Sequence, residues 1–173
     1  GGDSNYDFTI DLGFYRWVGV GNLVFYDANG DGKAQSTEGV NGVTVQLYTE
    51  AQTPEVDTPV ATSVTANSGK YLFNKIKPGI YRLHIPASMF VSGGPLFGKL
   101  SIAEGKFGDD DVGEDGLNDT DPSTEGVSTN AVFLVAGVAP TALNGETGVD
   151  NASDDTNDAA IDLTVDFGFQ DPV

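Results

Sequence analysis

The sequence predicts an all-β fold, an antiparallel β-sandwich with long acidic loops, and three observations carry that reading. Seven short segments rich in Val, Ile, Leu, Tyr and Phe recur along the chain, each bounded by Gly, Pro, Asn or Asp. No stretch longer than about ten residues keeps a 3.6-residue apolar period free of Gly and Pro, so helix signals are nearly absent. With 173 residues, 39% of them apolar, the chain can fill one core and is expected to form a single domain. Short strands joined by turn-rich connections solve their burial problem by packing sheet on sheet.

The expected strands are 18–26, 42–48, 60–66, 70–73, 79–85, 130–135 and 161–169. Asn67-Ser68-Gly69, between the third and fourth, reads as a tight hairpin turn. Tyr81-Arg82-Leu83-His84-Ile85 is strand-like, and His84, the single histidine, is read there as an ordinary strand residue. An eighth strand is expected near the start, because one segment is written twice. Asp7-Phe8-Thr9-Ile10-Asp11-Leu12-Gly13-Phe14 returns as Asp162-Leu163-Thr164-Val165-Asp166-Phe167-Gly168-Phe169, an offset of 155 residues. Five of the eight positions are identical, and the rest exchange one apolar residue for another. Both copies alternate, apolar residues on one face and Asp, Thr, Asp, Gly on the other, which is the period of a half-buried strand. A domain has room for one closing strand. The chain therefore reads as a donor and linker segment, 1–17, ahead of a complete unit, 18–173. It has no initiator Met and no signal peptide, and is expected to be mature, trimmed or cut from something longer.

Composition narrows the function. The net charge of −18, from 26 acids against 8 bases, argues against nucleic acid or an anionic membrane as partner. No run approaches the length of a membrane-spanning helix. There is no cysteine, hence no disulfide, thiolate metal site or cysteine nucleophile. With one histidine and no cysteine, no Ser/His/acid or Cys/His set is expected, and the chain is not read as an enzyme.

The acids are unevenly placed: 16 of the 26 fall within 27–38, 109–125 and 146–158. Clustered carboxylates repel one another unless they are solvated or bridged by cations. The segment Asp27-Ala28-Asn29-Gly30-Asp31-Gly32-Lys33-Ala34-Gln35-Ser36-Thr37-Glu38 matches the twelve-residue calcium loop position by position. Asp27, Asn29 and Asp31 supply oxygens at positions 1, 3 and 5, and Gly32 stands at the sharp turn. Lys33 would give its carbonyl, Gln35 a direct or water-mediated contact, and Glu38 the bidentate closure. The flanks are β-patterned, so the loop joins two strands instead of two helices. The later acidic stretches match no fixed spacing; their candidate ligands are Asp109, Asp111, Asp119, Asp121, Asp150, Asp155, Asn157 and Asp158. Loops this long and this poor in apolar residues need something other than burial to order them, and more than one calcium ion would supply it.

The block from Val18-Gly19-Val20-Gly21-Asn22 through the calcium loop to Gln46-Leu47-Tyr48 resembles the B domains of serine–aspartate-repeat surface proteins. Ser68-Gly69-Lys70-Tyr71-Leu72-Phe73, Lys77-Pro78-Gly79-Ile80-Tyr81-Arg82-Leu83 and the closing Leu163-Thr164-Val165-Asp166-Phe167-Gly168-Phe169 fit the same pattern. The resemblance implies an immunoglobulin-like, transthyretin-like sandwich. It also implies a calcium-stiffened extracellular module of a bacterial surface protein, usually found in tandem. Members of the wider class often carry a Lys–Asn isopeptide bond. Strand 18–26 has no Lys and strand 161–169 no Asn, so no such bond is expected here. Two roles follow. In the first, the chain is a structural subunit or repeat of an extracellular fibre, with strand 7–14 completing a neighbouring copy or adjoining repeat head to tail. In the second it is an adhesin module that binds a host or matrix ligand, for which no sequence feature stands out.

Overall fold

The structure is a computed structural model that describes residues 13–102, 116–117, 121–139 and 160–172. Its strands are β1 (Val18–Tyr26), β2 (Thr44–Thr49), β3 (Ala61–Val64), β4 (Lys70–Ile76), β5 (Gly79–Ile85), β6 (Leu100–Ser101), β7 (Val127–Ser128), β8 (Val132–Leu134), β9 (Ile161–Asp162) and β10 (Phe167–Gln170). A 3-10 turn at Ala87–Met89 and a one-turn helix α1 at Pro122–Glu125 complete them. One sheet runs β4-β1-β10-β6, with β9 also paired to β1; the other runs β3-β2-β5-β7, with β8 also on β5. This is the expected β-sandwich, rich in antiparallel pairs.

The core lies between the sheets. Val18, Val20 and Val24 of β1, Tyr71 and Phe73 of β4, and Phe167 and Phe169 of β10 meet Val45 and Leu47 of β2 and Leu83 and Ile85 of β5. Phe167 and Phe169 are fully buried, each worth about 2–3 kcal/mol in apolar burial. The opposite face of β1 is covered too, by a smaller cluster of Leu23, Phe25, Ala34 and Ile102. Gly21 has no side chain because β4 passes too close: a Cβ there would stand 2.3 Å from the Tyr71 carbonyl oxygen. The hairpin between β3 and β4 forms as expected. Asn67, Ser68 and Gly69 all take positive φ (48°, 67° and 88°), and Ala66 and Lys70 exchange both backbone hydrogen bonds.

The closing strand departs from expectation in three ways. First, the stretch 161–169 is not one strand; β9 and β10 are separated by residues 163–166. Secondly, both pieces run parallel to β1, in the register Gly19↔Ile161 and Val24↔Phe167. Parallel partners cannot be joined by a hairpin, and here β2 to β8 intervene in the chain between β1 and β9. Thirdly, the polar face is not outward. Asp166 is 0% exposed, and its Oδ1 accepts the Leu23 backbone N–H at 2.9 Å. At the break the carboxylate stands in for the carbonyl that a continuous ladder would have offered. Asp162 Oδ1 meanwhile accepts the Thr164 N–H and hydroxyl, turning the chain between the two pieces.

A second correction concerns His84. The sequence offers no Ser/His/acid set, yet folding assembles one on the outer side of β5. The His84 ring is 1% exposed, with Nδ1 2.8 Å from Ser128 Oγ and Nε2 3.0 Å from Glu55 Oε1. Cross-strand pairing of β5 with β7 brings Ser128, and the loop after β2 folds over to bring Glu55. Glu55 sits at φ 65° and its Oε1 also accepts the Ala87 N–H at 2.7 Å, so one oxygen pins the loop to two places. Burial lowers the imidazole pKa from its ordinary 6.5, opposed by the hydrogen bond and charge of Glu55.

Two measurements test these arrangements. Asp166→Ala leaves the Leu23 N–H buried without its acceptor. It should cost about 1–3 kcal/mol in denaturant unfolding; a change within a few tenths would remove Asp166 from this role. For His84, the unfolded chain takes up its proton first as pH falls, because the folded pKa is the lower. Stability should be full above pH 6.5 and decline below it until the folded ring also protonates. His84→Gln should flatten that part of the pH profile, and an unchanged profile would assign the slope to other groups.

Candidate metal centre

The 27–38 loop leaves the end of β1 and returns to it. The Tyr26 N–H donates to the Glu38 carbonyl at 2.9 Å, and Phe25 bridges Gly39, so entrance and exit are held together. The Asp27 N–H donates to the Phe169 carbonyl at 2.8 Å, tying the first loop residue to the closing strand. Inside the loop, Ala34 is 7% exposed and packs with Leu23, Phe25 and Ile102. This apolar anchor was not legible as such, since one alanine in a polar turn carries no periodic signal. Tyr26 and Lys99 hold the other side: Asp171 accepts from the Tyr26 hydroxyl and from Lys99 Nζ, both at 2.6 Å. The hydrogen bond raises the Lys99 pKa and lowers that of Asp171. The pair is exposed, so it fixes position more than it adds stability.

The donor atoms point inward. Asp27, 4% exposed, accepts the Gly30 and Asp31 N–H groups on Oδ1 and the Gly32 N–H on Oδ2. Glu38 accepts the Ala28 and Gln35 N–H groups, one on each oxygen. These bonds fold the loop around a centre where Asp31 Oδ1, Asp31 Oδ2 and the Lys33 carbonyl all converge on the Gln35 amide nitrogen, at 3.0, 2.8 and 3.1 Å. The Asn29 side chain joins the same ring through Asp31 Oδ2 and Gln35 Oε1. Gly32 holds φ 76° at the sharp turn, a conformation with little cost only for glycine.

The set fits a hard cation in its chemistry. Three oxygens already surround one electropositive amide group, and a carboxylate has about four lone-pair sites, so the N–H bonds to Asp27 and Glu38 leave capacity on both. Oxygen donors of mixed type in a flexible turn suit calcium better than magnesium, which demands a tight octahedron. The loop brings Asn29, Asp31, Lys33 and Gln35 into direct contact, whereas Asp27 and Glu38 close it from its two ends. Among the described residues no group of three or more His, Cys, Asp or Glu side chains lies together as a metal cluster. The ring in this loop is instead built from one carboxylate, amides and a carbonyl.

Of the later candidates only Asp121 falls within the described residues. Its carboxylate accepts the Ser123 and Thr124 hydroxyls at 2.6 and 2.9 Å, which lowers its pKa. Asp109, Asp111, Asp119, Asp150, Asp155, Asn157 and Asp158 lie outside the described residues, as do residues 7–12 of the first strand copy.

Comparison with known proteins places this loop inside a region of family likeness. Residues 18–94 match the model of the SdrD B-like domain. The chain is 41% identical over 78 residues to the serine-aspartate repeat-containing protein C of Staphylococcus aureus strains MRSA252 and Newman. That alignment covers 43% of this chain and 8% of each relative, so the chain corresponds to a small part of those proteins. The chain thus resembles the SdrD B-like domain over residues 18–94, a span that holds strands β1 to β5 and the whole 27–38 loop.

Proposed function

We propose that this chain is a structural module of an extracellular, cell-surface bacterial fibre or stalk, non-catalytic and stiffened by calcium. In this reading 18–173 is the unit, and segment 1–17 carries the strand that completes a neighbouring copy or adjoining repeat head to tail. One observation carries it. The five positions identical between the two strand copies include those that seat the closing strand. Asp162 and Thr164 make the turn, Asp166 takes the Leu23 N–H, and Phe169 fills the core while its carbonyl takes the Asp27 N–H. Their counterparts are Asp7, Thr9, Asp11 and Phe14. Phe169 is 0% exposed, whereas Phe14 is 93% exposed. The slot on this unit is filled by its own second copy, so the first has the residues for an identical slot on a neighbouring unit whose own closing strand is absent or gives way. Strand addition to such a slot is head to tail and propagates a row.

Calcium supplies the stiffness. The 27–38 loop has the ligand pattern, and in this reading Asp109, Asp111, Asp119, Asp121, Asp150, Asp155, Asn157 and Asp158 contribute to further ions in the later acidic stretches. Binding to the folded loop adds stability by mass action, about 2.7 kcal/mol at a calcium concentration one hundred times the Kd. Such a gain raises the melting temperature of a chain of this size by roughly 5–10 °C.

Adding a chelator should therefore lower the melting temperature by several degrees, and Glu38→Gln should remove most of the calcium response of this loop. A melting curve indifferent to calcium would sink the stiffening role. Negative-stain microscopy of the chain in calcium should show linear assemblies that disappear when residues 1–14 are deleted, with the melting temperature of the unit retained. Monodisperse single particles from the full chain would rule out capture of separate subunits. A shortened chain that fails to fold would return the strand to its own sandwich.

A further inference from the structure

A cleft of about 410 Å³ opens on the outer side of the second sheet, remote in sequence from the 27–38 loop. Arg82 of β5 and Ser128 of β7 come from the sheet, Thr53, Pro54 and Glu55 form one wall, and Thr124 and Glu125 of α1 form the other. We propose that this cleft binds a carboxylate group of another polypeptide, with the Arg82 guanidinium as its receptor.

The first support is an unspent donor. Arg82 Nε is buried and has no hydrogen-bond partner among the described residues. Guanidinium is a planar fork of five N–H donors that matches a carboxylate edge to edge, and a buried donor left unmade is costly. In a chain of net charge −18, a buried guanidinium N–H with no hydrogen-bond partner among the described residues is the exception that needs a reason.

The second support is that one oxygen of Glu55, an acid of the cleft, is committed elsewhere. Glu55 spends Oε1 on His84 Nε2 and on the Ala87 N–H, and His84 is held in turn by Ser128. The loop that carries Glu55 is braced by its own bonds, Thr53 N–H to Asp57 Oδ2 at 2.7 Å and Gln52 Nε2 to the Thr58 carbonyl at 2.7 Å. On the opposite wall Asp121 takes the Thr124 and Ser123 hydroxyls at the first turn of α1. Donor and walls are thus preorganised, which limits the ordering cost of binding.

The walls also select the ligand. Glu55 and Glu125 put negative charge around Arg82. Phosphates and polyanions are therefore disfavoured, and a single carboxylate is the anion that the fork can hold in this field. The volume suits a fragment of one or two residues, an acidic side chain or a chain terminus.

The chain has two arginines, Arg16 and Arg82, so the Nε–Hε resonances of the intact, calcium-loaded protein report the site with little overlap. Three probes separate the possibilities: acetyl-Gly-Asp-amide, its neutral isostere acetyl-Gly-Asn-amide, and acetyl-Gly-Ala with a free C-terminus. At least one carboxylate probe should shift the Arg82 resonance together with the Thr53 and Ser128 amides. The Asn probe should bind at least about tenfold more weakly, the share of a charge-assisted pair. Response to the Asp probe would identify a side-chain ligand, and response to the free terminus alone a chain end; either supports the site. Arg82→Gln should abolish the amide shifts. The proposal is overturned if neither carboxylate probe binds more tightly than the Asn probe, or if all three are silent at millimolar concentrations. The wild-type comparison of the two carboxylate probes with the Asn probe decides the matter even if the Arg82 variant does not fold.

Discussion

Strand β1 has no free side, and most of the described structure follows from that. One backbone edge pairs with β4, the other with β9 and β10, and its two faces point into two separate apolar clusters. A strand so enclosed cannot shift register without unburying one cluster or the other. Its end is therefore a fixed point, and the twelve-residue loop is hung from it. Tyr26 bonds to Glu38 at the exit of the loop, and Asp27 bonds to Phe169 at its entrance. The loop's geometry is inherited from the sheet, with Ala34 the one residue by which the loop itself joins the apolar interior.

What was legible in the sequence was whatever repeats at a fixed period or follows fixed turn chemistry. Strands 18–26 and 79–85 were readable to the residue because Val, Ile, Leu and Tyr recur between clear breakers. The 67–69 turn was readable because Asn, Ser and Gly tolerate positive φ. The loop pattern was readable because Asp, Asn, Gly and Glu stand there at the spacing of a twelve-residue calcium loop. Period says which face a residue takes, but not which strand lies beside it or in which direction that strand runs. Hence the parallel pairing of β10 with β1 was not visible. Strands β6 and β7, two residues each, are too short to have a period at all.

The polar interior was the least legible part. Asp166 belongs to the outward face by alternation, yet it is buried because a broken ladder left the Leu23 N–H in need of an acceptor. His84, Glu55 and Ser128 stand 29 and 44 residues apart along the chain, and no local rule connects them. In both cases the position of a polar group is settled by a backbone or ring atom that only the assembled sheets bring near. Such groups are costly unless paired, which is why they fix a single arrangement so firmly once formed.

The same geometry links the loop to the strand that closes the sheet. Phe169 puts its ring in the core and gives its carbonyl to Asp27, the first residue of the loop. Seating that strand completes the entrance of the loop, and ordering the loop holds an acceptor-seeking N–H in place for the strand. Two events that share a bond in this way stabilise each other, and by linkage the effect is equal in both directions. Under the proposed function the argument carries to a neighbouring unit. A strand with Asp7, Thr9, Asp11 and Phe14 in the positions of Asp162, Thr164, Asp166 and Phe169 would offer the same carbonyl to the same N–H. A cation in the loop would then tighten the hold on the strand, and the strand would tighten the hold on the cation. Rigidity within a unit and cohesion between units would be one equilibrium, set by a single backbone hydrogen bond at the mouth of the loop.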